Sequence, residues 1–365
     1  MRVLHVIARM NVGGTATYLS NLLHGLQKKG VENLLVMGNV PKGETEDGVV
    51  KNLPYVRIET LSRELSFKLD RSARSSIEHE IERFKPDIIH THTFKAGFLV
   101  RLKARKTPVI HSFHGHHLYD PEFGFFKRNV LNVIERVLAP RADAIITIGK
   151  RVRDELLAVH IGKHEQYTAI APGIQPLENR DEQIVRNKFG FEADEILVVW
   201  LGRFTEVKRP DRVIDIARKV SGVRFVMAGG GEMLDEVKNS APSNVTFVGY
   251  QDKNDMWCIA DIALCTSDSE GMPLALIEAQ MAGVPVVSTD VGSVSEIVED
   301  GVSGRLGTRD SYELAEAVKE VVSSIQTSDS MSKAARNRAV RDFSTEVMAQ
   351  AHLDLYRTIL DKVKR

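Results

Sequence analysis

The run Ile262-Ala263-Leu264-Cys265-Thr266-Ser267-Asp268-Ser269-Glu270-Gly271-Met272-Pro273-Leu274-Ala275-Leu276-Ile277-Glu278 reads as a short buried strand, a polar loop and the opening of a helix. The apolar stretch 262–265 is too short for a helix and has no polar alternation, as expected of a strand covered on both faces. Proline at the first helical position, preceded by Gly271 and Met272, with Ala282-Gly283 near the far end, delimits one helix. The N-terminus of such a helix leaves backbone N–H groups unpaired and carries partial positive charge. Gly271, Met272, Pro273 and Leu274 therefore form a candidate anion site of the kind that takes a diphosphate.

Two carboxylates flank that site, Glu270 in the loop and Glu278 inside the helix. Glu278 lies roughly 7.5 Å along the axis from the helix start, deep enough to accept from vicinal hydroxyls of a ribose beside a diphosphate. Glu270 would face the other side. The competing reading is that Glu278 pairs with a surface lysine and Glu270 only favours the helix dipole; the Gly271-Met272-Pro273 insert argues against it.

The same strand-then-helix rhythm recurs along the chain. Strands are expected at 3–7, 34–37, 88–90, 108–111 and 144–148, and again at 196–200, 224–228, 245–248, 262–265 and 284–288. That pattern defines an α/β protein with two doubly wound parallel sheets, each with a crevice outside the carboxyl ends of its strands. The breakers Ala171-Pro172-Gly173 and a polar stretch after them set the expected boundaries. The domains are 1–172 and 191–343, with a linker at 173–190 and a closing helix at 344–365.

With 365 residues, two domains fit the length; 43% hydrophobic and 27% charged residues describe a globular chain. No stretch reaches the roughly 20 apolar residues of a membrane span, and the N-terminus reads as a first strand, not a signal peptide. Cys258 and Cys265 alone form no disulfide or zinc framework, so a cytoplasmic location is expected. The net charge of zero is divided: residues 1–170 hold 26 Lys plus Arg against 18 Asp plus Glu, leaving 23 against 31 of the totals of 49 and 49. A basic N-terminal half suits an anionic acceptor or the cytoplasmic face of an anionic membrane, and equally a solvated surface. No nucleic-acid partner is expected.

A second charged cluster follows the strand at 196–200. Arg203 and Lys208, in Leu201-Gly202-Arg203-Phe204-Thr205-Glu206-Val207-Lys208-Arg209-Pro210, stand where a phosphate binds in an open α/β sheet. The chain has no Asp-x-Asp pair to hold a metal against a phosphorylated substrate, so no metal or other cofactor is expected. Gly13-Gly14, after the first strand, allows backbone amides to approach a ligand. Neither it nor Gly229-Gly230-Gly231 meets the dinucleotide spacing, which argues against nicotinamide. Of 12 histidines, His90, His92, His111, His114, His116 and His117 cluster at strand ends; His114 is the candidate substrate contact, with a structural hydrogen-bonding role or a metal site as the alternatives.

Taken in order, these residues resemble the retaining family 4 glycosyltransferases over nearly the whole chain. The resemblance rests on Gly13-Gly14, residues 90–97 (HTHTFKAG), residues 112–116 (SFHGH), Gly202-Arg203 with Lys208, Gly229-Gly230-Gly231-Glu232, and Glu270 and Glu278 with seven residues between them, a Glu-x7-Glu pair. It implies a GT-B fold with an interdomain cleft, a donor bound mainly by the C-terminal domain and an acceptor by the N-terminal one. It further implies transfer of a sugar from a nucleotide diphosphate sugar, with UDP the commonest, with anomeric retention and without metal. By the same resemblance Glu278 would hold the ribose and Glu270 the donor sugar. Arg203 and Lys208 would neutralise the diphosphate, with Gly14 offering an amide and His114 contacting the sugar. The closing helix would cross back to the N-terminal domain. Arg209 departs from the glycine that commonly follows the lysine, and would add a phosphate contact or face solvent.

The acceptor would be a carbohydrate or lipid-linked molecule in cell-surface polysaccharide or glycolipid synthesis, chosen by loops at 42–47 and 118–127, and residues 123–141 would rest on a lipid surface. Two rivals share the fold: a sugar nucleotide epimerase or glycosyl phosphorylase, and a non-catalytic sugar-nucleotide binding protein. An epimerase turns over the donor with no acceptor present; a silent binder holds UDP without transfer.

Overall fold

The structure, a computed structural model, describes residues 1–64, 66–115 and 124–363, with only the backbone of residues 125–127. It divides into two compact units, Met1–Gly173 with Thr345–Arg365, and Ile174–Ser344.

In the first unit β1 (Arg2–Ile7), β2 (Glu32–Met37), β3 (Tyr55–Arg57), β4 (Ile88–His92), β5 (Val109–Phe113), β6 (Ala144–Thr147) and β7 (Tyr167–Ala169) form one parallel sheet in the order β3-β2-β1-β4-β5-β6-β7. Strand order reverses beside β1, the first strand in sequence, as in a doubly wound sheet. Residues alternate between faces along each strand. Leu4, Val6, Val36 and Ile89 pack with Ala73 and Leu99 in one core, while Val3, Ile7, Leu35, Ile88 and Ile110 pack with Leu19, Leu22 and Leu26 in another.

The second core is completed from the far end of the sequence. Helix Thr345–Val363 belongs to this unit and inserts Met348, Leu353, Tyr356 and Ile359 against helix Gly14–Lys28. Full burial of each such side chain contributes about 1.5–3 kcal/mol. The two helices cross at Gly25, where a Cβ would stand 2.7 Å from that of Ala349.

The second unit repeats the plan with β8 (Leu197–Leu201), β9 (Arg224–Ala228), β10 (Val245–Gly249), β11 (Ile262–Cys265), β12 (Val286–Thr289) and β13 (Gly304–Gly307), parallel in the order β10-β9-β8-β11-β12-β13. β3, β7 and β13, absent from the sequence reading, are all edge strands of three or four residues. So few residues, paired on one side only, carry no readable periodicity.

The expected linker is corrected. Residues 174–190 belong to the second unit, and Glu182–Phe189 within them is a helix. Asp181 caps it at the Ile184 amide, 3.0 Å away, and Gly190 ends it in the left-handed region. Its polar composition misled because the core-facing positions are Val185 and Arg186, and the buried guanidinium is satisfied by the carbonyls of Glu192 and Glu195 and by Asp261.

Candidate active site

In the second unit β8 and β11 are neighbours from which the chain leaves in opposite directions, so the loops after them part and leave a crevice at their carboxyl ends. Arg203 and Lys208 lie on the first loop, Glu270 to Pro273 on the second. Backbone and side-chain bonds lock the loops together. The Asp268 amide donates to the Val207 carbonyl (2.8 Å), and the Thr266 hydroxyl lies 3.0 and 2.9 Å from the carbonyls of Lys208 and Arg209 while accepting from Trp200 Nε1 at 3.1 Å. Behind them the loop after β9 packs backbone to backbone: a Cβ on Gly229, at φ +130°, would stand 1.9 Å from the Gly202 carbonyl oxygen. The triple glycine thus lets this loop pack closely behind the cation loop.

Lys208 Nζ donates to Glu270 Oε1 at 2.5 Å, and Ser267 Oγ donates to the same oxygen at 2.6 Å. Burial pulls the ammonium's pKa down, but the Glu270 carboxylate outweighs it and the net shift is upward, so Lys208 stays charged. Arg203 is exposed, its guanidinium has no hydrogen-bond partner among the described residues, and its charge opposes that of Lys208. Two cations beside one carboxylate leave a surplus positive charge at the crevice.

The helix starts one residue later than the sequence suggested, at Leu274 with Pro273 as its N-cap, and ends at Ala282 before Gly283 in the left-handed region. Pro273 has no amide proton, and the amides of Gly271, Met272 and Leu274 have no acceptor among the described residues. Met272 is buried, anchoring the turn while its amide stays open. Glu278 is buried in the helix with Oε1 paired to Lys253 Nζ at 2.5 Å. The lysine partner that competed with the ribose reading is therefore present, but it occupies one oxygen only; Oε2 has no partner among the described residues.

Arg209 is partly exposed but does not stand free for a phosphate. Its backbone is in the left-handed region at φ 52°, and its guanidinium pairs with Asp211 (2.6 Å) and Asp268 (3.1 Å), which also holds Arg212 at 2.8 Å. A left-handed position is where glycine is at ease, and here two carboxylates hold an arginine in it.

In the first unit Gly13 stands at φ 152° and Gly14 opens helix Gly14–Lys28, both exposed. The 42–47 loop is fastened beside them: Val12 donates to the Thr45 carbonyl at 2.9 Å and Asn11 bridges Glu46. His114 follows β5 half-buried, its ring edge-on to Tyr18 at 4.5 Å. His90 and His92 are not lining groups but fully buried in β4. His111 faces the opposite side, 2.9 Å from Thr91 Oγ1. Burial pulls all four below the usual histidine range, His114 to about 3, so they are neutral near pH 7. Ring nitrogens of His5, His90 and His92 lie within 4.8 Å of one another, a spacing open to a metal, but each of these rings already has hydrogen-bond partners at both nitrogens. His116, His117 and residues 118–123 of the expected acceptor loop lie outside the described residues.

The sequence reading missed Ser267, Lys253 and Asp268 as partners of the site charges, His5 and Asn33 as partners in the histidine row, and His352 as the partner of Tyr18. Ser267 and Asp268, three and two residues before Glu270, lay inside the quoted motif; the others come from distant segments and give no local signal.

Two family models cover most of the chain: Glycosyltransferase Family 4 over residues 12–176 and Glycosyl transferases group 1 over residues 181–338. EpsF of Bacillus subtilis (strain 168) is 29% identical over 381 residues, spanning 98% of this chain and 94% of EpsF. The D-inositol 3-phosphate glycosyltransferase of Mycobacterium marinum is 27% identical, spanning 95% of this chain and 81% of that enzyme. Among solved structures, sucrose-phosphate synthase from Thermosynechococcus elongatus matches with TM-score 0.85 at 18% identity over 99% of this chain and 100% of that one. HepE of Anabaena, solved with UDP, matches with TM-score 0.83 at 18% identity over 98% of this chain and all of that chain. The architecture is the GT-B fold of glycosyltransferases. Within that class the chain belongs to glycosyltransferase family 4.

Proposed function

We propose that this glycosyltransferase moves a sugar from a UDP-sugar to a hydroxyl of a carbohydrate or lipid-linked acceptor, with retention of anomeric configuration and without a metal ion. The observation that carries the reading is the meeting of Arg203, Lys208 and the open amides of Gly271, Met272 and Leu274 at the switch point of one sheet. Fixed donors of this kind stabilise a departing diphosphate, the work a divalent cation does elsewhere. HepE was solved with UDP and with UDP-glucose, which supports uridine as the base.

In the proposed step the bond between the anomeric carbon and the diphosphate oxygen breaks first, leaving an oxocarbenium-like centre. The acceptor oxygen bonds to that carbon on the same face, and its proton passes to the departing phosphate oxygen. Glu270 would orient the donor sugar, Glu278 Oε2 would accept from the ribose, and His114 and Gly14 would contact the donor from the first unit. Binding free energy is used for positioning, so no protein nucleophile is needed.

A lipid-linked acceptor is supported by helix Phe125–Leu138, where Val130, Val133 and Val137 are 43%, 54% and 60% exposed on one face, and by the basic first half of the chain. No helix of the described residues is long and apolar enough to cross a membrane, so contact would be peripheral, at the cytoplasmic face. Failure to sediment with anionic liposomes at low salt would remove this part.

A thermal-shift screen of nucleoside diphosphates and their sugars, with EDTA present, tests the donor reading, since a ligand of the native state raises the melting point. UDP-sugars should shift it; no response to any nucleotide would overturn the proposal. Proton NMR of the product then reads anomeric configuration, and turnover without acceptor would indicate an epimerase instead.

A further inference from the structure

One hydrogen-bonded chain crosses four adjacent strands of the first sheet, β2, β1, β4 and the end of β5, and with neutral rings its direction is set by the partners at its Asn33 end. It begins at Asn33, whose Nδ2 donates to the carbonyls of Leu23 (3.2 Å) and Val31 (3.3 Å). Carbonyls only accept, so the amide cannot be turned round, and Oδ1 faces His5 Nε2 at 3.3 Å. An amide oxygen also only accepts. The His5 proton is therefore on Nε2 and its Nδ1 is bare.

His5 Nδ1 lies 3.1 Å from His92 Nε2, which must then carry the proton and donate. His92 Nδ1 is bare in turn and accepts from His114 Nε2 at 3.0 Å. Each ring is neutral, held so by burial, which makes the alternation obligatory. The last link leaves His114 with its proton turned inward and Nδ1 bare, with no partner among the described residues.

Neighbouring groups do not break the order. His352 Nδ1 donates to the Met348 carbonyl at 2.8 Å, so its Nε2 accepts the Tyr18 hydroxyl at 3.0 Å and Tyr18 has no proton for His114. His90 is occupied by Tyr356 Oη (2.7 Å) and Ser112 Oγ (2.6 Å).

We propose that Asn33, acting through His5 and His92, fixes the tautomer of His114, so that His114 offers substrate a bare Nδ1 that accepts from a sugar hydroxyl and has no proton to give a leaving phosphate. Asn33 is a positioning residue. The functional half of the inference rests on the proposed role of His114 as a sugar contact; the tautomer order does not.

The test uses full-length protein labelled with 15N-histidine near neutral pH, where long-range proton–nitrogen correlation separates Nε2–H from Nδ1–H rings. The His114 signals are those lost in His114→Gln. Wild-type protein, with its His114 signals assigned against folded His114→Gln, should show His5, His92 and His114 all as Nε2–H. Asn33→Leu and His5→Leu should each split His114 between two tautomers. A wild-type His114 carrying its proton on Nδ1, or on both nitrogens, overturns the proposal. So does a His114 unchanged in both folded variants, or a zinc ion found by elemental analysis on His5, His90 and His92, which would require both linking nitrogens to be bare. Intact tautomers in a protein without transferase activity would instead count against the proposed function alone.

Discussion

Lys208 Nζ and Glu270 Oε1 stand 2.5 Å apart although 62 residues separate them, the contact that joins the two loops of the crevice. The carboxylate that orders the cation also neutralises it, so an incoming diphosphate competes with Glu270 for Lys208. Glu270→Gln should therefore bind UDP several-fold more tightly while transferring sugar at least about 100-fold more slowly, in line with loss of one fixed polar group in a transition state. Lys208→Ala should weaken UDP binding and transfer together. Calorimetry and initial rates separate the two; activity within about twofold of wild type for Glu270→Ala, Arg203→Ala and Lys208→Ala alike would show the roles to be misassigned.

Glu278 is buried with one oxygen on Lys253. Removing the carboxylate takes away a charged acceptor worth about 1.5–3 kcal/mol, or roughly 10–150-fold in affinity. Glu278→Ala should raise the dissociation constant for UDP by that factor, and a titration giving an unchanged value would sink the ribose assignment. Lys253→Ala should leave UDP affinity nearly intact.

At position 209 glycine should be the more stable of two truncations. Both Arg209→Gly and Arg209→Ala lose the pairs with Asp211 and Asp268, but only alanine keeps a Cβ at φ 52°. The difference should be about 1 kcal/mol in favour of glycine by denaturant unfolding. Equal stabilities would mean that the backbone moves when the guanidinium is removed.

Gly25→Leu should prevent helix Thr345–Val363 from seating, because even a Cβ at 25 meets Ala349 at 2.7 Å. Gly25→Ala is expected to cost about 1–3 kcal/mol through overpacking. Tyr356→Phe, which removes only the bond to His90 Nδ1, should cost about 1 kcal/mol. Thermal unfolding of the three variants should rank them in that order.

The buried histidines set an acid limit on stability. Burial holds His5 and His114 to about 3 and His352 to about 4. An unfolded histidine takes its proton near pH 6.5, so between about 6.5 and those lower values the unfolded chain binds protons that the folded one refuses. The stability is whole above about pH 6.5 and falls as pH drops, by up to about 1.4 kcal/mol per pH unit for each such ring. The denaturation midpoint should be flat from pH 8 to 7 and decline steeply below about 6; His5→Leu with His352→Leu should flatten that decline.

Much of this was legible in the residue order because it depends on neighbours within a few positions. Central strands such as Arg224–Ala228 and Ile262–Cys265 are continuous β-branched or apolar runs that only a covered parallel strand explains, and the sequence located both with the observed limits. The helix N-terminus at Gly271 to Leu274 is likewise a local matter of proline, glycine and unpaired amides. The placement of Arg203 and Lys208 at a strand's carboxyl end followed from one βα unit.

What the order of residues could not decide was which distant group answers each charge or ring. Helix Glu182–Phe189 was hidden because its buried arginine is satisfied by carbonyls and a carboxylate that only the fold brings near. Lys253 on Glu278, Asp268 on Arg209, and the row from Asn33 to His114 are contacts between separate segments. Periodicity fixes the face on which a side chain lies, and so the sequence determined the two sheets and the helix end with its open amides. Hydrogen bonds and ion pairs act over about 3 Å between atoms that the chain must first fold to bring together, and so the charge state, tautomer and occupancy of each site residue were decided by tertiary structure alone.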